Sequence, residues 1–133
     1  MTYYHSRVIK LEFDNAIKVV TETLKKEGFG VLSQIDIAEK LKEKLGVDLK
    51  KYVILGACNP ALAYKALQVE DKIGVMLPCN VIVKEMESNT VEIAAIDPTA
   101  SMATIGNPAL FPIAEEVGKK LRDAINAIGL QGS

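Results

Sequence analysis

The stretch IGVMLPCNVIVKEMESNTVEIAAI, residues 73–96, decides the predicted fold. Its apolar segments are rich in β-branched residues, which are typical of strands, at 73–77, 79–86 and 91–96. Pro78 separates the first two segments, because a proline has no N–H to donate to a neighbouring strand. Ser88 and Asn89 are typical turn residues, so the last two segments are predicted to form an antiparallel hairpin. Strand therefore follows strand here without a helix in between.

The first half of the chain alternates between strands and helices. Apolar residues recur at helical spacing after Asp14 and after Asp36, and each aspartate is placed to act as an N-cap. Gly28 and Gly46 follow these two segments, and glycine is favoured just after a helix. Strands are predicted at 3–11, 29–35 and 52–55. The last of these is apolar at every position, which is typical of a central strand covered on both faces.

Two more helices are predicted where an asparagine precedes a proline. Asn59 and Asn107 are suitable N-caps, and Pro60 and Pro108 suit the first helical position. The first helix is short, and the second carries an apolar stripe along residues 110–128.

The predicted element order is β-α-β-α-β-α-β-β-β-α, which indicates an α+β fold. We expect one mixed, mainly antiparallel sheet with the helices packed largely on one face. The early alternation favours some parallel pairing, whereas the hairpin requires antiparallel pairing. A doubly wound α/β fold is the alternative, but consecutive strands without helices argue against it. The length of 133 residues predicts a single domain over 1–130 and a tail at 131–133.

The composition excludes several classes of function. With 16 basic and 17 acidic residues and a net charge of -1, the chain is predicted to bind neither nucleic acid nor a membrane. No apolar run approaches the ~20 residues of a spanning helix, and no signal peptide is predicted, so the cytoplasm is the expected location. No Gly-x-Ser-x-Gly motif occurs, and the single histidine, His5, lies close to the start of the sequence. Whether the protein is an enzyme stays open.

A homodimer is predicted from the apolar content. Hydrophobic residues make up 49% of the chain, and the predicted strands carry apolar side chains on both faces. The predicted helices can cover one face of the sheet but not both. A monomer would then expose more apolar surface than monomers usually tolerate, and a two-fold interface is the commonest way to bury it.

The two cysteines stand in similar surroundings, in LGACNP (55–60) and in LPCN (77–80). Each ends an apolar run and is followed by an asparagine. Cys58 precedes a helix N-terminus, which favours the thiolate, but apolar neighbours raise the pKa of a thiol and free cysteines are commonly buried. Asn59 is explained by its capping role, and Asn80 by bonding to backbone that Pro78 leaves exposed.

These residues are consistent with three functions. The first is binding of a small ligand or a partner at a site formed by Gly56, Cys58, Asn59, Pro78, Cys79 and Asn80. The second is a thiol-dependent enzyme or redox protein with Cys58 as the nucleophile and Cys79 as the resolving thiol. The third is a carrier of a soft metal ion, which requires the two cysteines to meet on neighbouring strands. Their spacing matches no known metal or redox motif, so no residue is assigned as a metal ligand and the cofactor is unknown.

The chain resembles the bacterial and archaeal family known as domain of unknown function 302. The resemblance is carried by Gly28-Phe29-Gly30-Val31-Leu32, Ile35-Asp36, Ile54-Leu55-Gly56-Ala57-Cys58-Asn59-Pro60, Ala63, Leu77-Pro78-Cys79-Asn80-Val81 and Ile96-Asp97-Pro98. It implies a compact α+β domain that is often a dimer. It implies no activity, since none is established for the family. It also marks Cys58, Asn59, Cys79 and Asn80 as signature positions.

Overall fold

A five-stranded antiparallel sheet forms the centre of the computed structural model, which describes residues 2–129. The strands are β1 (Tyr4–Lys10), β2 (Gly30–Asp36), β3 (Tyr52–Cys58), β4 (Cys79–Glu87) and β5 (Thr90–Ile96). The helices are α1 (Phe13–Lys26), α2 (Ile37–Leu45), α3 (Pro60–Val69), α4 (Pro98–Met102) and α5 (Phe111–Asn126). Three short 3₁₀ segments lie at Asp71–Met76, Ala103–Ile105 and Pro108–Leu110.

The strand order is β1-β5-β4-β3-β2, and every pair of neighbours is antiparallel. The α+β class and the predicted 79–96 hairpin are confirmed. The expected parallel pairing is wrong for the described sheet. The physical reason is that α1 carries the chain from one edge of the sheet to the other, so β1 and β2 never become neighbours. The connection through α2 then brings β3 alongside β2, and the two strands run in opposite directions.

The segment 73–77 was predicted to be a strand and is instead mostly a 3₁₀ segment, Asp71–Met76. Its buried side chain is Ile73, and Leu77 also packs against the same small apolar cluster. In a strand, Val75 would share a face with Ile73 and Leu77, because alternate residues point to the same side. Val75 between them is 85% exposed, so the run is apolar without being a core strand.

Other local predictions are confirmed or shifted by a few residues. Asp36 accepts a hydrogen bond from the N–H of Glu39 as the N-cap of α2, and Gly46 ends that helix in a left-handed conformation. Asp14 is not the N-cap of α1, because the carboxylate of Glu12 accepts hydrogen bonds from the first N–H groups instead. Asn107 caps a 3₁₀ turn, and α5 proper begins at Phe111.

One face of the sheet carries the core. Alternate residues of the three central strands point to this face and are buried: Val53, Leu55, Ala57, Cys79, Val81, Val83, Val91, Ile93 and Ala95. Helices α1 and α5 supply the facing layer, with Phe13, Ala16, Val20, Leu24, Val117, Leu121, Ala124 and Ile125. The helices therefore lie largely on one face, as predicted.

The other face of the sheet, here called the open face, carries apolar side chains without a full helical layer. Ile54, Ile82 and Ala94 form one cross-strand row, and Ile54 and Ile82 are only half-buried. Val8 on β1 is 58% exposed. The prediction that β3 is covered on both faces is therefore wrong for the single chain, because helices cover one face of β3 and leave Ile54 partly open.

Two expectations concern the chain as a whole. The division into one domain over 1–130 and a tail stays a prediction, and the tail at 131–133 lies outside the described residues. Across residues 2–129, the helices are too short or too polar for any of them to span a membrane.

Arg7 on β1 ties the sheet to the end of α5. Its side chain points to the core face, and its Nη1 donates to the carbonyl oxygens of Ile125, Asn126 and Ile128 at 3.0, 3.1 and 2.7 Å. The carbonyl of Ile125 also accepts a hydrogen bond from the N–H of Ile128. Carbonyl groups at the end of a helix have no N–H partner further along it, and the helix C-terminus carries partial negative charge. The guanidinium therefore donates hydrogen bonds to carbonyl groups at the end of α5, and the partial negative charge there stabilises its positive charge.

Replacing this guanidinium is expected to destabilise the fold. In Arg7→Met the carbonyl groups at the end of α5 lose a charged donor, and such hydrogen bonds contribute about 1.5–3 kcal/mol. We expect the free energy of unfolding in urea to fall by about 2 kcal/mol. Lys10→Met on the same strand is the control, because Lys10 is exposed. Equal stability of the two variants would contradict the role given to Arg7.

Candidate functional site

A small cavity lies where β3 ends at Cys58 and β4 begins at Cys79. Its volume is about 30 Å³. β3 and β4 are neighbours and Ala57 pairs with Cys79, so the sheet register brings Cys58 beside Cys79. The described lining residues are Phe29, Ala57, Cys58, Asn59, Leu62, Ala63, Ala66, Leu77, Pro78, Cys79, Met102, Ile113, Ala114 and Val117. The two cysteines therefore line one partly open, mostly apolar space, which we call the thiol cavity.

The two thiols have different surroundings. Cys79 is 7% exposed and Cys58 is half-buried, and both are free. Burial, together with the nearby Cys58, raises the pKa of the Cys79 thiol to about 11. Cys79 is therefore protonated near neutral pH, where it behaves as a small apolar side chain with a weak S–H donor.

The side-chain amide of Asn59 connects the start of α3 to the turn before β2. Its Oδ1 accepts a hydrogen bond from the N–H of Leu62 at 3.3 Å, which caps α3 as the sequence predicts. Its Nδ2 donates to the carbonyl oxygen of Glu27 at 3.4 Å, in the turn that leads into β2. Gly28 in this turn has a φ of +88°. A Cβ on Gly28 would lie 2.9 Å from Nδ2 of Asn59, so glycine is also required sterically. Both ends of the amide are thus used by the fold.

The absence of a side chain at Gly56 leaves room for the ring of Pro78. A Cβ added to Gly56 would lie 2.7 Å from Cγ of Pro78 and would also overlap Oγ of Ser33. The peptide bond between Leu77 and Pro78 is cis. Gly56 is therefore needed for the close approach of the Pro78 ring to β3, and it does not line the thiol cavity.

Asn80 lies away from the cavity. It pairs with Gly56 in the register of β3 and β4 and belongs to the open face, where it is exposed. Of the predicted site residues, Cys58, Asn59, Pro78 and Cys79 line the cavity, whereas Gly56 and Asn80 do not. The similarity of the two Cys-Asn corners in the sequence is thus not repeated in space.

Met102 is the cavity residue that sequence reasoning missed. It is the last residue of α4, it is 8% exposed, and it lines the cavity together with both cysteines. A groove of about 330 Å³ between α4 and α5 lies next to the cavity and shares Met102 and Ala114 with it. No local signal marks Met102, because the sequence predicts residues 99–106 as a connection with at most one helical turn.

Common metal sites find no support in the described residues. Nowhere in 2–129 do three or more His, Cys, Asp or Glu side chains come together in a way that could hold a metal ion. His5 lies on the edge strand β1, where its Nε2 is 2.9 Å from Oδ1 of Asn126. It is therefore not a base for either cysteine.

Comparison with known proteins identifies the family. The model of the family described as Domain of unknown function DUF302 matches residues 5–128. The crystal structure of an uncharacterized conserved DUF302 protein from Bacillus stearothermophilus is similar, with a TM-score of 0.87 and 34% sequence identity over 95% of this chain and 98% of that chain. No curated protein matches. The α+β chain described here belongs to the DUF302 family.

The raised pKa of Cys79 predicts a loss of stability in alkali. The pKa of an ordinary thiol is 9.0, and burial raises the pKa of Cys79 in the folded chain to about 11. Between these two pH values the unfolded chain loses a proton that the folded chain keeps. Stability is therefore full below about pH 9 and falls as the pH rises through about 11, by about 2–3 kcal/mol from this group.

Urea unfolding at about pH 8 and about pH 10.5 measures this loss. Other groups titrate in the same range, so the quantity of interest is the difference between the wild type and Cys79→Ala. We expect the variant to lose less stability than the wild type. The same loss in both proteins would show that Cys79 is not responsible.

Proposed function

We propose that this protein is a binding module whose thiol cavity takes up a ligand of one or a few heavy atoms. The observation that carries the proposal is that Cys58 and Cys79 line one small, partly open space with apolar walls. A volume of about 30 Å³ is only about twice the ~10–15 Å³ that a cavity needs to hold one water molecule. It is well below the ~300–1,000 Å³ of ordinary small-molecule pockets. The fit therefore favours an ion or a very small molecule.

A larger ligand would need the cavity to open. Met102 and Ala114 separate the cavity from the groove between α4 and α5. Met102 is unbranched and can change its side-chain conformation at low cost. If the Met102 side chain moves, the thiol cavity and the groove join. A longer ligand can then lie in the groove and place one end against the two cysteines.

Thiol catalysis has less support than binding. The N-terminus of α3 lies beside Cys58, but a nucleophilic cysteine also needs a base to accept its proton, and the described cavity walls hold no histidine, carboxylate, lysine or arginine. The raised pKa also keeps Cys79 protonated when it would have to act as the resolving thiolate. The proposal therefore assigns no reaction to Cys58 or Cys79.

The proposal places the protein in the cytoplasm, without a nucleic-acid or membrane partner. Both cysteines are free, and a reducing compartment keeps neighbouring thiols in that state. The net charge of -1 lacks the basic excess that is typical of proteins that bind phosphates.

Filling the cavity is expected to block binding. Ala63 lines it from α3 and is half-buried, so Ala63→Leu can extend into the space at little cost to the fold. The probes are hydrosulfide, thiocyanate, ethanethiol, xenon and Cu(I), each followed by the NMR shifts of the amides of Cys58, Leu62 and Cys79. We expect at least one probe to give saturable shifts confined to the cavity walls in the wild type, and none in Ala63→Leu.

Ala61→Leu is the matched control, because Ala61 is exposed on the same helix and does not line the cavity. It should bind as the wild type does. The proposal is overturned if no probe binds, or if binding survives unchanged in Ala63→Leu.

We also infer that two copies of this chain associate through the open face. Ile54, Ile82 and Ala94 give this face an apolar centre. Beside them Nζ of Lys84 lies 3.9 Å from Oε1 of Glu92. A patch that carries both charges is complementary to itself when a two-fold axis turns one copy over the other. The apolar centre and this charge pair support a second copy as the partner.

The mass in solution tests the dimer. Light scattering at about 50 µM should give twice 14.4 kDa for the wild type. Ile82→Lys places a charge at the centre of the open face and should give 14.4 kDa. Val75→Lys is the control, because Val75 is exposed in the 71–76 turn, away from the sheet, and it should stay dimeric. A wild type of 14.4 kDa would refute the inference.

A further inference from the structure

We propose that the ligand of the thiol cavity is a soft monovalent metal ion, Cu(I), held by Sγ of Cys58, Sγ of Cys79 and Sδ of Met102. This assignment rests on the proposed function, because it gives a chemical identity to the ligand of the same cavity. The observation behind it is that three sulfur-bearing side chains, from β3, β4 and α4, line one small space. The two cysteines alone offer an incomplete site, and the fold adds Met102 to them.

The lining of the cavity selects the kind of metal. Thiolate and thioether sulfur favour Cu(I), whereas Mg²⁺ and Ca²⁺ require oxygen ligands. The described walls contain no carboxylate or imidazole, and the amide of Asn59 is already engaged with Leu62 and Glu27. Zinc takes four ligands, usually Cys and His, which these walls do not supply. The donor set therefore fits a soft ion of low coordination number.

The size and burial of the site agree with a bare ion. A space of about 30 Å³ admits a dehydrated ion but not one that keeps a shell of water. Cys79 and Met102 are 7% and 8% exposed, so the ion would be shielded from solvent on their side. Cys58 is half-buried and gives the ion a first ligand that it can reach from outside.

Binding exchanges protons for the metal. The S–H bonds of Cys58 and Cys79 break, two Cu–S bonds form, and Met102 adds a lone pair from its neutral sulfur. Two protons pass to solvent, copper stays Cu(I), and no electron is transferred. The loaded site carries one negative charge, and the positive end of the α3 dipole lies next to it because Cys58 stands directly before the N-cap of that helix.

An anaerobic competition titration tests the assignment. The reduced full-length protein is titrated with Cu(I) in the presence of bicinchoninate, and proton release is followed in weak buffer. We expect one Cu(I) and two protons per chain for the wild type. Cys58→Ala and Cys79→Ala should each abolish this binding, with folding checked by thermal melting. Met102→Leu keeps the side-chain volume, so it should stay folded and bind Cu(I) at least about tenfold more weakly.

Met76→Leu is the matched control, because Met76 lies outside the cavity and should bind as the wild type does. Wild-type affinity in Met102→Leu would overturn the three-sulfur site. Binding that persists in both cysteine variants, or no binding at all, would overturn the metal assignment. If another of the NMR probes still binds the cavity in that case, the binding module stands and only its ligand changes.

Discussion

The contact between Pro78 and Gly56 fixes where β4 begins, and the thiol cavity depends on it. The proline ring lies so close to β3 that no Cβ fits on Gly56. Once Pro78 is held there, β4 starts at Cys79, and the register sets Cys79 opposite Ala57. A shift of one residue would turn Cys79 to the open face, because side chains alternate along a strand. The position of Cys79 beside Cys58 therefore depends on the contact between the Pro78 ring and Gly56.

The two faces of the sheet differ in how far helices cover them. The core face is closed by α1 and α5, which leaves a small cavity only at the strand ends, where α3 and α4 also contribute to its walls. The open face has an apolar centre and little cover, which is the arrangement that a second copy can complete. Ligand binding and association are thus assigned to opposite sides of the same strands, so one can occur without blocking the other.

Much of the fold could be predicted from the sequence, because local signals determine it. Asp36, Gly46 and the Asn59-Pro60 pair each act on backbone within a few residues, and all of them behave as predicted. The errors arose where local sequence is ambiguous. The run 73–77 is apolar in either conformation, and alternation of strands and helices does not reveal which strands become neighbours. At the site, Cys58 and Cys79 were identified by composition, but Met102 and the outward position of Asn80 depend on tertiary structure.

The tie between Arg7 and the end of α5 also affects how the chain can fold during synthesis. Helix α5 follows all five strands of the described residues, yet it supplies Val117, Leu121, Ala124 and Ile125 to the core and receives the Arg7 guanidinium. While the ribosome still holds α5, the apolar face of the sheet has only part of its cover. Until α5 has emerged, a nascent chain leaves part of this apolar face uncovered, and apolar surface that is exposed transiently during folding is prone to aggregation.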